Sequence, residues 1–537
     1  MKTRVDTGGS CIVRGENERI TAASDEGVAV CGLNKCIIMD KGKVYSIDWE
    51  KYLQPERQRQ SGTHASIEWD SRNQFESDFG RVIFCPAIRR MHDKTQVIPL
   101  TSGDTILTRL THSMQVMSVA ESLAHYYTRS ESFIKTYGEK AYAYDASISA
   151  ILRTAALLHD IGNPPFGHFG EITIQNYFKK YLEDHHIIKE RQAWDFTQFD
   201  GNALGLRIVS MLQYTGTLDG LNLTYPTLGA YLKYPNKGKA KGDGYVGEHK
   251  HGVFETEERL FDKIVACCNM KVDDKRIKRH PLSFLVEAAD SICYGTMDME
   301  DGYNIQWYTF ENMVETLNKY IYQNAIKNKK ADALKKYSSD AKKPETFSIE
   351  KLIGFDRKWK DGTEKDKRRL ILDFRVAMIG YLTKLAINNF ENNLEAIDKG
   401  EYSNELLKDD ELDVFGALSD FAQRKIIARR DIQELELTGN SVINGLLDIL
   451  MSYAFSEDKK FRKKIKAVIS KSRMEATLHE IFNKEVRFKT FNEEDLWNFD
   501  IEQLDNYSKL RLIVDFVASM TDKYSVELYQ RFAGMRM

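Results

Sequence analysis

The stretch LLHDIGNPPFGHFGE, which ends at Glu171, concentrates side chains that can carry out chemistry. It holds the adjacent pair His159 and Asp160 before a Gly-Asn-Pro-Pro sequence, and it holds His168 and Glu171 after it. Neutral imidazole together with carboxylate suits Mn, Fe, Co, Ni or Zn better than Ca, which prefers oxygen ligands alone. The first pair therefore predicts metal ligands, although a His-Asp pair is also common at an ordinary helix C-terminus, where His complements the helix dipole.

Helical segments should hold these side chains in place. Apolar residues recur at helical spacing from Ala146 to Asp160, so we expect a packed helix that ends in the His-Asp pair. Gly162 should end this helix, because the two prolines that follow cannot restart one at once. A second helix is predicted from Gly170 to Tyr181.

His168 and Glu171 are three residues apart, so their side chains can meet on one helical face. A carboxylate orients an imidazole and makes it more basic, as a proton-transfer residue requires. The alternative is a simple N-terminal cap in which Glu171 complements the helix dipole.

Three more side chains extend this chemistry. In RLTH, His112 falls on the apolar face of a predicted helix, and Arg109 lies one turn earlier, where it could hold a phosphate. Asp290 ends the apolar helical run FLVEAAD, and a buried carboxylate needs a partner such as a metal. With His159 and Asp160, His112 and Asp290 would form a set of two His and two carboxylates on three helices. The alternatives are a core His and a solvated Arg.

The pattern H…HD…D resembles that of the HD-domain metal-dependent phosphohydrolases, and its surroundings are similar to bacterial deoxyguanosine triphosphate triphosphohydrolases. The resemblance runs from about Asp48 to near the C-terminus, and HDIGNPPFGHFGE points to the triphosphohydrolase branch. The other segments that carry the resemblance are RRMHDKTQV (Arg89 to Val97), RLTHSMQV (Arg109 to Val116), FDGNALG (Phe199 to Gly205), KYP (Lys233 to Pro235), ADSICYGTMDMED (Ala289 to Asp301) and MTDKY (Met520 to Tyr524).

The resemblance implies an all-α fold and a role for each matching residue. His168 matches the proposed general acid or base near the α-phosphate, and Glu171 matches the residue that positions it. Tyr294 matches a residue packed under the sugar that leaves no room for a 2′-OH, while Asp298 and Gln96 match residues at the 3′-OH. Contacts near the triphosphate are expected from Arg109, Asn202, Lys233 and Tyr234, with Arg375 as a weaker candidate.

The implied reaction is metal-dependent hydrolysis of dGTP to deoxyguanosine and intact inorganic triphosphate. Manganese or magnesium is the first expectation for the metal, with Co, Fe, Ni or Zn as the other candidates. The resemblance also implies a homo-oligomer, often a hexamer, and single-stranded DNA as an effector of some relatives. The alternatives are a dNTP triphosphohydrolase of broader specificity, another HD phosphohydrolase, or a nucleic-acid-binding regulator with an idle metal site.

Composition bears on the class of protein. The 537 residues include 77 basic and 79 acidic ones, so the charge balance does not favour a basic nucleic-acid binder. No run of about 18 apolar residues predicts a membrane span. The N-terminus lacks the apolar core of a signal peptide, so we expect a cytoplasmic protein. Seven cysteines without a CxxC pattern favour reduced thiols over disulfides or a zinc site.

We expect three regions along the chain. Residues 1–46 are Gly-rich and polar, and they form either an added hairpin element or an upstream extension, with β-like runs over Gly27 to Val30, Lys35 to Met39 and Lys43 to Ile47. Residues 47–305 should form an HD-domain catalytic core. Residues 306–537 should form a helical region that completes the pocket, with amphipathic helices over Ile371 to Asn389, Val442 to Phe455 and Leu510 to Ala533.

Overall fold

The computed structural model describes residues 27–30, 37–40, 45–59, 70–94, 96, 107–213, 219–242, 244–274, 276–358, 362–482, 494 and 498–535. By its contacts the chain divides into two units, Met1–Ile47 and Asp48–Met537. Regular structure in the described part of the second unit is almost entirely helical, which confirms the all-α class. None of the described helices is both long and apolar enough to cross a membrane.

The first unit contains a short antiparallel pair of strands, β1 (Gly27–Val30) and β2 (Ile37–Asp40), in which Val28 lies opposite Met39. The first predicted β-run matches β1, and the second starts two residues later than predicted. In the third run, residues 45–47 are not a strand, while residues 43–44 lie outside the described residues. Of the seven cysteines, Cys11, Cys31 and Cys36 lie outside the described residues, and the free thiols are Cys85, Cys267, Cys268 and Cys293.

The second unit is built from helices that we number in chain order. They are α1 (Gln74–Ile83), α2 (Pro86–Arg90), α3 (Arg109–Thr128), α4 (Glu131–Tyr137), α5 (Lys140–Leu158), α6 (Gly167–Asp184), α7 (Glu190–Thr197), α8 (Gly201–Arg207), α9 (Tyr225–Tyr231), α10 (Glu258–Cys267), α11 (Pro281–Asn304), α12 (Phe310–Lys327), α13 (Ala331–Lys335), α14 (Ile349–Leu352), α15 (Glu364–Asn392), α16 (Leu394–Lys399), α17 (Val414–Ala422), α18 (Arg430–Ala454), α19 (Lys459–Val468), α20 (Lys471–Phe482), α21 (Asn506–Ala518) and α22 (Asp522–Phe532).

Helix α5 lies at the centre of the core, where it packs against α3, α11, α1 and α9. Apart from Arg153, its residues from Ile148 to Leu158 are all buried, so this half of the helix needs neighbours on every side. The helix ends two residues earlier than predicted, and His159 and Asp160 lie in the turn that follows. Because the two residues directly follow a rigid, buried helix, the helix fixes their position.

Local capping explains where the two partner helices begin. Helix α3 starts after Thr108, whose side chain accepts the main-chain N–H of Thr111 while the Thr111 hydroxyl accepts in return. Helix α11 starts after His280, with Pro281 at its first position, where a missing N–H costs nothing. Asp290 lies in the middle of α11 and not at the end of a helix, because the helix continues to Asn304.

The C-terminal helices are tied to the core by buried charges. Arg207 on α8 donates to Asp515 on α21 at 2.7 Å and to Glu257 at 2.8 Å, and all three side chains are buried. Removing one member of a buried, hydrogen-bonded ion pair costs about 3–5 kcal/mol, because the partner charge is left uncompensated. This connection holds the C-terminal region against the helices that carry the site.

One helix predicted near the C-terminus is two helices in the structure. The segment predicted as a single helix from Leu510 to Ala533 forms α21 and α22, with a break over residues 519–521. Thr521 causes the restart, because its hydroxyl accepts the main-chain N–H of Tyr524 and caps a new helix. The amphipathic pattern continues across the break, and therefore it did not reveal the break.

Candidate active site

Three of the four predicted metal ligands come together at the end of α5 and the start of α3. His112, His159 and Asp160 each offer a ligand atom, and these atoms all lie within 4.8 Å of one another. Asp290 on α11 joins them, since its Oδ1 lies 3.1 Å from Nε2 of His112 and 3.4 Å from Nε2 of His159. Two imidazoles and two carboxylates thus converge from three elements.

His159 shows that this set fits a cation. Its Nδ1 donates to the main-chain oxygen of Ala156 at 2.7 Å, which fixes the ring and directs Nε2 as the ligand atom. Nε2 is buried and makes no hydrogen bond to any described residue. Burial lowers the pKa of His159, but the Asp160 and Asp290 carboxylates outweigh it and raise the pKa to about 9. The carboxylates therefore favour positive charge at this point, and a divalent metal would supply it in place of the proton.

Arg109 is drawn into the same cluster. Its Nη1 donates to Oδ2 of Asp160 at 2.7 Å and lies 3.3 Å from Oε1 of Gln96. Gly167, at φ +60°, leaves room for it, because a Cβ there would lie 2.3 Å from Nη2 of Arg109. The glycine before His168 thus lets the guanidinium approach the site, so Arg109 is buried and is not a solvated helix-start residue.

The predicted pair His168 and Glu171 is formed at the start of α6. Nδ1 of His168 lies 2.7 Å from Oε2 of Glu171, and Oε1 of Glu171 accepts the main-chain N–H of Gly201 at 2.8 Å. Glu171 is buried, whereas the His168 side chain is 72% exposed. The helix begins at Gly167, three residues earlier than predicted, so both residues lie in its first two turns.

Two adjacent cavities surround these groups. The larger has a volume of about 430 Å³, within the range of small-molecule sites. The smaller, of about 90 Å³, is lined by three of the four predicted metal ligands, His159, Asp160 and Asp290. Asn163 lines both cavities. The larger is also lined by Gln96, Arg109, His168, Glu171, Tyr294, Asp298, Gln423, Ile427, Ile432 and Glu436, and the smaller by His159, Asp160, Asn202, Tyr231, Lys233, Glu287 and Asp290.

Two lysines carry positive charge near the site: Lys233 lines the smaller cavity, and Lys250 lies beside Glu171 but lines neither of these two cavities. Nζ of Lys233 lies 3.4 Å from Oε1 of Glu287, and Nζ of Lys250 lies 2.7 Å from Oδ2 of Asp200 and 3.8 Å from Oε2 of Glu171. Burial lowers the pKa of each lysine, but these carboxylates outweigh it and raise the pKa, so both stay charged. Sequence reasoning missed Lys250, because nothing in its spacing links it to the other site residues.

The ring of Tyr234 lies between these two lysines. Its centroid is 5.7 Å from Nζ of Lys233 and 5.8 Å from Nζ of Lys250, which is cation–π distance. Tyr234 thus supports both ammonium groups, although it is not among the residues that line either cavity.

One part of the lining of the larger cavity is acidic and apolar, and we call the part formed by Asp298, Gln423, Ile427, Ile432 and Glu436 its far end. Burial raises the pKa of Asp298 well above its ordinary value, and the Asp301 and Asp290 carboxylates raise it further. Burial also raises the pKa of Glu436. Glu436 and Gln423 were not predicted as site residues, because α18 and the segment Gln423–Ile427 carry no metal-ligand or phosphate motif. A neutral, hydroxyl-bearing or amide-bearing group fits this end better than a phosphate does.

Arg375 lies elsewhere. It sits on α15, where its guanidinium pairs with Glu300 on α11, and it does not line either of these two cavities. Among the predicted substrate contacts, Arg375 and Tyr234 are the two that line neither of these cavities.

Comparison with known proteins agrees with this arrangement. The HD domain model matches residues 109–200, and the phosphohydrolase-associated domain model matches residues 470–531. The chain is 31% identical over 504 residues to the deoxyguanosinetriphosphate triphosphohydrolase-like protein of Listeria monocytogenes, across 91% of this chain and 99% of that protein. The chain belongs to the deoxyguanosinetriphosphate triphosphohydrolase-like family of HD-domain proteins. Proteins of the same description from Listeria innocua and Pseudomonas aeruginosa are also 31% identical, over 504 and 500 residues.

Membership of this HD-domain phosphohydrolase family explains part of the site, because the HD match includes most of the predicted metal ligands. The HD match begins at Arg109 and contains His112, His159 and Asp160, while Asp290 lies outside it. HD domains bind divalent metals, and the three ligands inside the match could hold one. The family thus accounts for the metal end of the site, whereas the far end of the larger cavity lies mostly outside the HD match.

Proposed function

We propose that this chain hydrolyses dGTP to deoxyguanosine and inorganic triphosphate. The observation that carries the proposal is the polarity of the joined cavities, which have cations and metal-type ligands at one end and acids and apolar side chains at the other. A nucleotide has the same polarity, with its charged phosphates at one end and its neutral base at the other. The similarity to deoxyguanosinetriphosphate triphosphohydrolase-like proteins supports the choice of dGTP within the family.

The proposed metal site consists of His112, His159, Asp160 and Asp290. A divalent metal bound there stabilises negative charge on a phosphate oxygen and lowers the pKa of a water molecule. We propose manganese or magnesium, because triphosphate oxygens are hard ligands that suit these ions.

The cationic side chains at this end bind the triphosphate. Arg109 presents a planar guanidinium that can hold two phosphate oxygens, and Lys233 and Lys250 act as point charges. Asn202 adds an amide at the wall of the smaller cavity. Because these groups are held by buried carboxylates, they are already oriented before the substrate binds, which reduces the entropy cost of binding.

His168 transfers the proton that the leaving group needs. With Nδ1 engaged by Glu171, Nε2 is the ring atom that can donate to the departing 5′-oxygen. Glu171 stays fixed through its hydrogen bond to Gly201, so it holds the imidazole in one orientation. A water oxygen bonds to the α-phosphorus as this P–O bond breaks, so deoxyguanosine leaves with the proton on its 5′-oxygen and the triphosphate is released intact.

The far end of the cavity selects the nucleoside. Tyr294 and Asp298 lie four residues apart on α11, so they share one face of the helix, and both line the larger cavity. The raised pKa of Asp298 suits contact with a neutral sugar hydroxyl, and Gln96 adds an amide. Glu436 can accept the two N–H donors on the Watson–Crick edge of guanine, which is a pattern that adenine lacks.

Product analysis tests this proposal. The purified protein is incubated with each of the four deoxynucleoside triphosphates and with GTP, in magnesium or manganese, and the products are separated by chromatography. We expect deoxyguanosine and triphosphate from dGTP alone. Pyrophosphate or a nucleoside monophosphate would contradict the proposed reaction, and turnover of all four deoxynucleotides would remove the guanine selectivity.

A further inference from the structure

The residue that starts α6 has an unfavourable backbone conformation. Phe166 has φ +62° and ψ +17°, in the left-handed region, and Gly167 follows at φ +60°. Glycine adopts this region freely, but for a residue with a Cβ it costs about 1–2 kcal/mol. Two consecutive left-handed residues set the direction in which α6 leaves the double-proline turn. Some other part of the protein must hold Phe166 in this conformation.

Asp522 from the C-terminal region provides that hold. The main-chain N–H of Phe166 donates to Oδ1 of Asp522 at 3.0 Å, across 356 residues of sequence. Asp522 is 3% exposed and is the first residue of α22. The start of a helix is a favourable position for a carboxylate acceptor, because the helix dipole interacts favourably with negative charge there.

Two further contacts place the turn against the same region. Lys94 is buried and donates from Nζ to the main-chain oxygen of Asn163, and the same Nζ lies 3.4 Å from the main-chain oxygen of Ala518. Gly439 on α18 lies so close to the Phe166 ring that a Cβ there would be 2.6 Å from Cγ. The turn that connects the metal ligands to His168 is therefore supported by residues distant in the chain.

We propose that Asp522 is a positioning residue for His168, and this rests on the proposed function of His168. Without the acceptor, the Phe166 amide is left buried and unpaired, and the residue gains by relaxing out of the left-handed region. That relaxation rotates the first turn of α6. Glu171 stays held by the Gly201 amide, so the 2.7 Å contact between His168 and Glu171 opens. Asp522 therefore acts on proton transfer without touching the substrate.

Kinetics in a double-mutant cycle separate this role from general stabilisation. Asp522→Ala should lower kcat about tenfold to a hundredfold while KM changes less than about twofold, because small misplacements of a catalytic group have effects of this size. Asp522→Asn keeps an oxygen acceptor and should restore most of the loss. In a His168→Ala background, Asp522→Ala should have no further effect on kcat. If the factor by which kcat falls in the double variant equals the product of the factors in the two single variants, the proposal is overturned.

The matched control is Asp505→Ala, which removes another aspartate from the start of a C-terminal helix. Asp505 accepts the main-chain N–H of Ser508 at 2.7 Å and lies outside both cavities, so kcat should stay at the wild-type value. Asp522→Ser serves as a second variant if the Ala variant does not fold, since Ser suits a helix start but does not reach the Phe166 amide.

Hydrogen exchange tests the positioning independently of activity. Exchange of the peptide that covers residues 163–169 should be faster in Asp522→Ala than in the wild type, and unchanged in Asp522→Asn and Asp505→Ala. Unchanged exchange in Asp522→Ala would overturn the proposal. If the wild-type protein releases no triphosphate from dGTP, the proposed function fails, whereas the exchange result still decides whether Asp522 holds this turn.

Discussion

His168 and Glu171 form a hydrogen bond of 2.7 Å between one side chain that is 72% exposed and another that is 5% exposed. The carboxylate is fixed inside the protein by the Gly201 amide, while the imidazole extends into the larger cavity. The pair thus combines a rigid support with an accessible proton donor.

Replacing His168 by Ala should lower kcat for triphosphate release by about a hundredfold to ten-thousandfold, as expected for loss of a general acid. Metal content should not change, because His168 is not among the clustered ligands. Steady-state kinetics and metal analysis check both statements. The control is His185→Ala, an exposed His at the other end of α6, which should keep full activity. Full activity in His168→Ala would contradict the proposed role.

A chelator should abolish turnover, and returning manganese should restore it. At a metal concentration of one hundred times Kd, binding should also stabilise the fold by about 2.7 kcal/mol. Thermal unfolding with and without manganese measures this shift. His159→Ala should remove the shift, whereas His92→Ala, which alters an exposed His, should keep it. A wild-type shift that persists in His159→Ala would exclude His159 as a ligand.

Tyr294→Ala should make room for a 2′-OH in the larger cavity. We expect the ratio of kcat/KM for GTP to that for dGTP to rise about tenfold or more, a usual effect of relieving a steric conflict in a pocket. Competition assays with both nucleotides measure this ratio. Tyr294→Phe keeps the ring and should keep the discrimination. Equal effects of the two variants would show that the phenol hydroxyl matters and the ring bulk does not.

Glu436→Ala should reduce the preference for dGTP over dATP by about tenfold to a hundredfold, since a hydrogen bond to a charged group contributes about 1.5–3 kcal/mol. Product formation from each nucleotide provides the measurement. The matched control is Glu434→Ala, two residues away on α18, where the exposed carboxylate pairs only with Arg430 at 2.8 Å among its described contacts. A preference that survives in Glu436→Ala would remove Glu436 from base recognition.

His280 should make the fold sensitive to mild acid. Burial lowers its pKa to about 4 in the folded protein, against about 6.5 in an unfolded chain. Between these values only the unfolded state binds the proton, so stability that is present above pH 6.5 is lost as the pH falls toward 4. His280→Asn keeps an acceptor for the Leu282 amide and should lose about 2 kcal/mol less than the wild type between pH 7 and pH 5. Urea unfolding at both pH values tests this prediction. An equal loss of stability in the wild type and in His280→Asn would rule it out.

The metal end of the site could be predicted from sequence because its chemistry is local. A His-Asp pair at a helix end and a His on an apolar helical face are visible as residue types at short spacing, helical periodicity predicted the individual helices, and the resemblance implied the all-α class. The exact end of α5 and the break at Thr521 were not predicted, because caps and turns decide such boundaries and apolar patterns do not.

Three residues of the site could not be predicted, for the opposite reason. Lys250, Gln423 and Glu436 acquire their meaning only from tertiary neighbours that lie far away in sequence, and each alone looks like a solvated polar residue. Arg375, the weaker candidate for the triphosphate, pairs with Glu300 and lines neither of the two cavities, so its contact stays a prediction. A homo-oligomer, a response to single-stranded DNA and a cytoplasmic location stay predictions from resemblance and composition.

The two matched segments, residues 109–200 and 470–531, touch directly although 269 residues separate them in the chain. Phe166 bonds to Asp522, and Asp195 accepts the Tyr507 hydroxyl at 2.6 Å. The HD segment produced alone would expose the Phe166 amide and the Asp195 carboxylate, so we expect it to be insoluble or unstable. For the same reason, insertions or deletions in the intervening chain that leave these contacts intact should be tolerated during evolution, whereas loss of the last helix should not.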